Sequence, residues 1–227
     1  MIIPIHQVFT REQVSQIRGY LDDAEWVDGA ETAGAQASSV KRNQQLSQDS
    51  ALCQQLGDVV LDALARHSTF ISVALPQKIY PPLFNRYSVG ETYGLHVDNA
   101  IRVVPGTAVR VRTDLSATLF LSDPEEYEGG ELTIQDKFGS HQVKLSAGDM
   151  ILYPSTSLHR VEPITKGQRV SSFFWLQSMV RNHEQRDVLF DLDTSVQSLT
   201  SQHGHDHADV IRLSGIYQNL IQQWIDT

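Results

Sequence analysis

The chain has 227 residues, with 27 Asp and Glu against 18 Lys and Arg, for a formal net charge of −9. Apolar residues make up 41% and charged residues 20%, which excludes a disordered chain and leaves room for one full-sized core. The acidic balance argues against general nucleic-acid binding, and no apolar run approaches the roughly 20 residues that span a bilayer.

In chain order, Thr10-Arg-Glu-Gln13 has the form of a capping box, and Val14, Ile17 and Leu21 follow at helical spacing. A helix is expected over 11–23. The start of the chain has neither a basic stretch nor a long apolar one, so no secretory leader is expected, and a cytoplasmic location is. Residues 28–48 are rich in Gly, Ala, Ser, Thr and Gln without clear period, and read as loop or weak strand. A second helix is expected from Ser50 to His67, burying Leu52, Leu56, Val59, Val60, Ala63 and Leu64. The single cysteine, Cys53, falls on that apolar face and reads as a small buried hydrophobe.

From about residue 70 to 178 the pattern changes to short β-branched and aromatic runs. Turn signals divide them at Val89-Gly90, Asp123-Pro124, Gly129-Gly130, Gly148-Asp149 and Lys166-Gly167. Many short strands with frequent turns indicate a sandwich or barrel. After Arg181 the helical period returns, with Val188, Leu192, Val196 and Leu199 on one stripe. Val210, Leu213, Tyr217, Leu220 and Trp224 form another. The expected fold is therefore mainly β with flanking helices: an N-terminal flank over 1–77, a β core over 78–178 and a helical extension over 179–227.

Three pieces of the core carry chemistry. In Tyr93-Gly-Leu-His96-Val-Asp98, residues two apart on a strand project to one side, so an imidazole and a carboxylate can converge. In Gly148-Asp-Met-Ile-Leu-Tyr-Pro-Ser-Thr-Ser-Leu-His159, an apolar strand and a turn bring a second histidine. In Arg169-Val-Ser171-Ser-Phe173-Phe-Trp175, alternation puts Arg169, Ser171, Phe173 and Trp175 on one face. A buried guanidinium needs an anion, and the neighbouring sequence offers none, so a ligand carboxylate is expected there, with Ser171 adding a hydrogen bond. Two histidines and a carboxylate are the ligand set of non-haem Fe(II) oxygenases. A chelating 2-oxo acid and O2 would fill the open positions, and Arg169 would hold the far carboxylate of that acid.

These residues carry a resemblance. Residues 78–178, through Asn85-Arg86-Tyr87, Gly90, Tyr93-Gly94-Leu-His96-Val-Asp98-Asn99, Gly129-Gly130-Glu131-Leu132, Gly148-Asp149, His159 and Arg169-Val-Ser171, resemble the Fe(II)/2-oxoglutarate dioxygenases of the prolyl/lysyl hydroxylase type. With Gly-Ile-Tyr217-Gln-Asn219 near the end, the whole chain is similar to the bacterial PKHD-type hydroxylases, some associated with iron uptake. The resemblance implies a double-stranded β-helix (jelly roll), Fe(II) on His96, Asp98 and His159, and 2-oxoglutarate on Arg169. It implies hydroxylation with release of succinate and CO2, and L-ascorbate as a reductant. It also sets Tyr87, which shares a strand face with Asn85, beside the co-substrate; a core aromatic is the other reading. Where the animal oxygen-sensing enzymes carry a co-substrate tyrosine, this chain has Leu119, so their protein-proline substrate does not transfer.

Three further features have two readings each. The stretch Asn99–Thr113 holds Arg102, Arg110 and Arg112 without a carboxylate. It either guides an anionic substrate at the mouth of the site or is a solvated loop. His203, His205 and His207 form either a second metal site or a polar interhelical loop, the latter favoured, with Asp206 as helix cap. The core itself is either an enzyme or a non-catalytic iron- and oxo-acid-sensing module. A Ser/His/Asp hydrolase is disfavoured because no Gly-x-Ser-x-Gly elbow exists. The substrate is expected to be a small molecule or a protein side chain, and the apolar helical flanks leave room for a homo-oligomer. The core carries a charge balance of −1 and the flanks −8, so the acidity belongs to the helical wrapping.

Overall fold

The first third of the chain alternates short strands with capped helices. The computed structural model describes residues 1–29, 40–137 and 139–226. The elements begin with β1 (Ile3–Ile5), α1 (Arg11–Asp22), β2 (Trp26–Asp28), β3 (Lys41–Arg42), β4 (Gln44–Leu46), α2 (Ala51–Leu64) and α3 (Ser68–Ala74). The core continues with β5 (Pro76–Ile79), β6 (Leu83–Tyr87), β7 (Thr92–His96), β8 (Ile101–Val103), β9 (Arg110–Arg112) and β10 (Leu115–Phe120). Then come β11 (Tyr127–Gly129), β12 (Leu132–Asp136), β13 (Gly139–Val143), β14 (Met150–Pro154), β15 (Leu158–Val161), β16 (Ile164–Gly167) and β17 (Arg169–Ser178). Two helices, α4 (His183–His203) and α5 (Ala208–Trp224), end the chain.

The large antiparallel sheet has the order β1-β14-β10-β17-β6-β4-β2, with β5 also on β17; the smaller one runs β13-β12-β15-β7-β3. The crossing connections between these two sheets are those of a jelly roll, as expected. β17 organises the larger sheet because its ten residues alternate as the sequence demands. Val170, Phe174 and Leu176 enter the main apolar core, while Arg169, Ser171, Phe173 and Trp175 line the pocket between the sheets. The core then joins β10, β14 and β17 to α1 through Val14, Ile17 and Leu21 and to α2 through Cys53, Leu56, Val60 and Leu64.

Helix α1 forms as expected, with both bonds of the Thr10/Gln13 capping box present. The second expected helix is two. α2 stops at Leu64, and the His67 ring accepts the backbone N–H of Phe70 at 3.3 Å, capping a new helix that continues to Ala74. Val59, expected in the core, is 44% exposed, because the buried stripe follows Cys53, Leu56, Val60 and Leu64. Cys53 is buried as expected, and burial pushes its thiol up to about 11, which suppresses the thiolate.

The 28–48 stretch contributes two short strands, β3 and β4, and the last residue of β2; its residues 30–39 lie outside those described. Gly94 explains how β3 reaches the smaller sheet. A Cβ there would stand 2.8 Å from that of Val40, so only glycine lets β3 pack this closely on β7. At the C-terminus, Tyr217, Leu220, Ile221 and Trp224 pack around Leu75, Val180 and Leu189, fastening the helical pair to the β core. Val188, placed on the expected stripe, is 51% exposed, and its neighbour Leu189 is the buried residue. No helix among the described residues is long and apolar enough to cross a membrane.

A candidate iron and oxo-acid site between the sheets

His96 ends β7 and His159 lies in β15, and the two are paired in register across the smaller sheet. Asp98 follows His96 by two residues. One ligand atom from each of the three lies within 4.8 Å of the others, and no other such group of three occurs among the described residues. Asp98 Oδ2 stands 3.6 Å from His159 Nε2. Each imidazole is oriented by its own strand: His96 Nδ1 bonds the carbonyl of Gly94 at 2.8 Å, and His159 Nδ1 bonds that of Ser157 at 3.0 Å. A carbonyl only accepts, so Nδ1 carries a proton in both rings and Nε2 is the nitrogen turned toward a metal. Burial first, and His159 second, push His96 down to about 4, so it is neutral at pH 7. Tyr93 stacks on the His96 ring at 3.6 Å, and Ser116 donates to Asp98 Oδ2 at 2.6 Å while touching Ser155 at 2.7 Å.

The other end of the pocket belongs to the larger sheet. Arg169 is 1% exposed, and among the described residues no carboxylate lies within ion-pair distance of it. Its Nη1 donates to Ser171 Oγ at 2.8 Å, and Ser171 donates in turn to Asn85 Oδ1 at 2.6 Å. Its Nε is buried with no hydrogen-bond partner among the described residues. The rings of Phe120 and Tyr87 lie 5.1 and 5.5 Å from the guanidinium carbon. Burial pushes the Tyr87 hydroxyl up to about 12, against the pull of Arg169, so it stays protonated. A buried cation with an orphaned donor and a dry aromatic collar is chemically suited to a ligand carboxylate. The donor set therefore fits both groups: two imidazoles and a carboxylate for a divalent metal, and a preset guanidinium for an oxo acid.

Several expectations shift in detail. Ser171 was expected to add a bond to the ligand; its single proton goes to Asn85, so it orients the guanidinium instead. Leu119 does not face the pocket. It is fully buried in the main core, one residue out of phase with the pocket-lining Ser116 and Thr118. Tyr153, which sequence reading passed over, lines the pocket with its ring 5.1 Å from that of His159. Asn99–Thr113 is largely a hairpin of β8 and β9 whose arginines part company. Arg110 is exposed, and Arg112 pairs with Asp114 at 2.8 Å. Arg102 alone joins the pocket, its guanidinium carbon 3.6 Å over the Trp175 ring. The histidine-rich segment lies at the exposed junction of α4 and α5. His207, not Asp206, is the helix cap, accepting from the backbone N–H of Asp209 at 3.3 Å.

Comparison with known proteins agrees with this architecture. Residues 82–177 match the 2OG-Fe(II) oxygenase superfamily, and residues 183–226 match the PKHD-type hydroxylase C-terminal domain. A PKHD-type hydroxylase of Burkholderia thailandensis is 55% identical over 226 residues, and one of Saccharophagus degradans 56% over 227, each match covering both chains in full. Among solved structures, a Pseudomonas putida prolyl-4-hydroxylase superposes with a TM-score of 0.53 at 19% identity, covering 78% of this chain and 92% of that one. HygX from Streptomyces hygroscopicus, with nickel, 2-oxoglutarate and hygromycin B bound, gives 0.52 at 17%, covering 76% and 81%. These two show the shared jelly roll. The chain belongs to the 2OG-Fe(II) oxygenase superfamily and, within it, to the PKHD-type hydroxylases. It is thus a dioxygenase of a family that uses Fe(II) and 2-oxoglutarate.

Proposed function

We propose that this chain hydroxylates a small molecule or a protein side chain, with Fe(II) held by His96, Asp98 and His159 and 2-oxoglutarate anchored by Arg169. The observation that carries this reading is the placement of a fully buried arginine, lacking an ion-pair carboxylate among the described residues, in the same pocket as the two-histidine, one-carboxylate cluster. When bound, Fe(II) and 2-oxoglutarate supply the oxidising chemistry: O2 gives one atom to a substrate C–H bond and one to succinate, with release of CO2. Three protein ligands leave the remaining metal positions open to co-substrate and O2.

The protein's own residues prepare that chemistry. Gly94 and Ser157 carbonyls hold the two imidazoles in the ligating tautomer, and Ser116 fixes one oxygen of Asp98. Asn85 and Ser171 aim the Arg169 guanidinium, while Tyr87 and Phe120 keep water from its faces. The Tyr87 hydroxyl, held protonated, is a donor for the same co-substrate carboxylate. Residues 78–178 carry the reaction, with 1–77 and 179–227 bracing it; a reductant role for L-ascorbate, a cytoplasmic location, a homo-oligomer and a link to iron uptake complete the proposal. Fold relatives have been captured with hygromycin B and with a peptide fragment, so both substrate classes suit this fold.

The test is a screen of both classes with anaerobically loaded Fe(II), following 2-oxoglutarate loss and succinate gain on admission of O2. Coupled formation of succinate and a product heavier by one oxygen supports the enzyme. Binding of Fe(II) and 2-oxoglutarate with no O2 uptake under any condition would instead identify a sensing module.

A further inference from the structure

The metal end of the pocket holds two cations that the chemistry described so far leaves without a role. Lys41 comes from β3 and is paired with Tyr93 of β7; its side chain points between the sheets and is 6% exposed. Its Nζ lies 5.3 Å from the Tyr93 ring and 5.6 Å from that of Phe173. Arg102 reaches in from β8 and stacks on Trp175, with the Tyr80 ring 5.9 Å from its guanidinium carbon.

The register of the strands places this pair away from Arg169. Arg169 and Trp175 are six residues apart on β17, about 20 Å along a strand. Trp175 stands opposite Ser116 of β10, the residue that bonds Asp98. Lys41 and Arg102 therefore flank the metal ligands, and Arg169 marks the far end. Two anions, not one, suit a pocket with cations at both ends.

Keeping two cations side by side in a buried site is costly. Burial and then the charge of Arg102 push Lys41 down to about 7, although Asp98 and Asp28 pull the other way. Arg102 is likewise held below the usual guanidinium range, first by burial. Asp98 acts on both from the metal side, and both side chains line the pocket, where they add positive charge to its wall. Phe173 and Tyr93 line the same part of the pocket with apolar rings, so the recognised group is an anion on an organic body.

We propose that Lys41 and Arg102 form a second anion subsite, which takes a carboxylate of the primary substrate and holds its neighbouring C–H groups beside the metal triad. The proposal rests on the function given above for the triad and Arg169. It makes the substrate a carboxylic acid, such as a free amino acid or an acid-bearing chelator. Lys41 lies outside the superfamily match at 82–177, so a feature of the N-terminal flank sets specificity for a site built in the core.

The test uses the full chain loaded with Ni(II), which binds without turnover, and saturated with 2-oxoglutarate so that Arg169 is occupied. Benzoate and its neutral counterpart benzamide are titrated by calorimetry. Benzoate is expected to bind, benzamide at least about tenfold more weakly, and Lys41→Met and Arg102→Met are each expected to weaken benzoate by about tenfold, as loss of one charge-assisted bond implies. Lys41→Arg and Arg102→Lys should restore most of the difference, which separates charge from packing, and thermal midpoints near wild type exclude misfolding. Absent benzoate binding, equal binding of benzamide, or indifference to both Met variants overturns the subsite. Loss of 2-oxoglutarate binding in Arg169→Met is measured alongside. If that variant binds 2-oxoglutarate as wild type does, the parent reading fails, and the two failures are told apart.

Discussion

The two sheets that face the pocket hold their polar groups by different means. On the smaller sheet each histidine leans on a carbonyl two residues back along its own chain. On the larger sheet the anchor is assembled across strands, Arg169 and Ser171 from β17 bonding Asn85 from β6. Local support fixes the orientation of each imidazole, whereas Asp98, held by Ser116 of β10, and the guanidinium both depend on contacts between strands. The contrast suits the tasks. A metal needs three donors in fixed directions, and an oxo acid needs one charge at a set depth.

The sharpest way to break this comparison is on the smaller sheet. His96→Ala and His159→Ala should each abolish Fe(II)-dependent 2-oxoglutarate turnover, since two remaining ligands do not define the site; retained turnover in either would sink the assignment. On the larger sheet, Arg169→Met should raise the 2-oxoglutarate Kd by about 100-fold, roughly 3 kcal/mol, while metal affinity measured by calorimetry stays unchanged. Between the sheets, Ser116→Ala removes the bond to Asp98 Oδ2 and should weaken metal binding by about tenfold, as loss of an outer-shell partner does. Asn85→Ala acts on Arg169 only through Ser171, so a smaller rise in 2-oxoglutarate Kd is expected, about fivefold.

The smallest effect is a pH dependence. His96 sits near 4 in the fold against 6.5 unperturbed, because it is buried beside His159. Between those values the unfolded chain takes up a proton that the folded one refuses, so this contribution is complete above about pH 6.5 and is lost as pH falls toward 4. Metal-free wild type should therefore lose thermal stability over that window more steeply than His96→Gln. Equal slopes in the two would contradict the assignment of a neutral, buried His96.

The parts of the site that could be read from sequence are those built on one strand. His96 with Asp98, and Arg169 with Ser171, Phe173 and Trp175, share faces by simple alternation, and resemblance to a known family joined them to His159. Asn85 and Tyr87 followed by the same rule. What escaped was set by pairing between distant segments. Lys41 sits in a two-residue strand within a stretch of Gly, Ala, Ser and Gln that has no period to read. Leu119 faces the main core, because neighbouring positions on a strand turn alternately to pocket and core. Tyr153 belongs to an apolar run buried on both faces, where alternation carries no information. The break between α2 and α3 was hidden for another reason: its cap is the histidine His67, outside the usual Ser, Thr, Asp and Asn signals.

The central claim is that His96, Asp98 and His159 hold the metal while Arg169 holds the far carboxylate of 2-oxoglutarate. A crystal structure of the chain with Ni(II) and 2-oxoglutarate, using anomalous scattering to place the metal, tests it most directly. The account predicts one strong peak about 2.0–2.2 Å from a nitrogen of each histidine and an oxygen of Asp98, with the oxo-acid carboxylate on Arg169. A strong peak at His203, His205 and His207 with none at the triad, or a co-substrate turned away from Arg169, would contradict it.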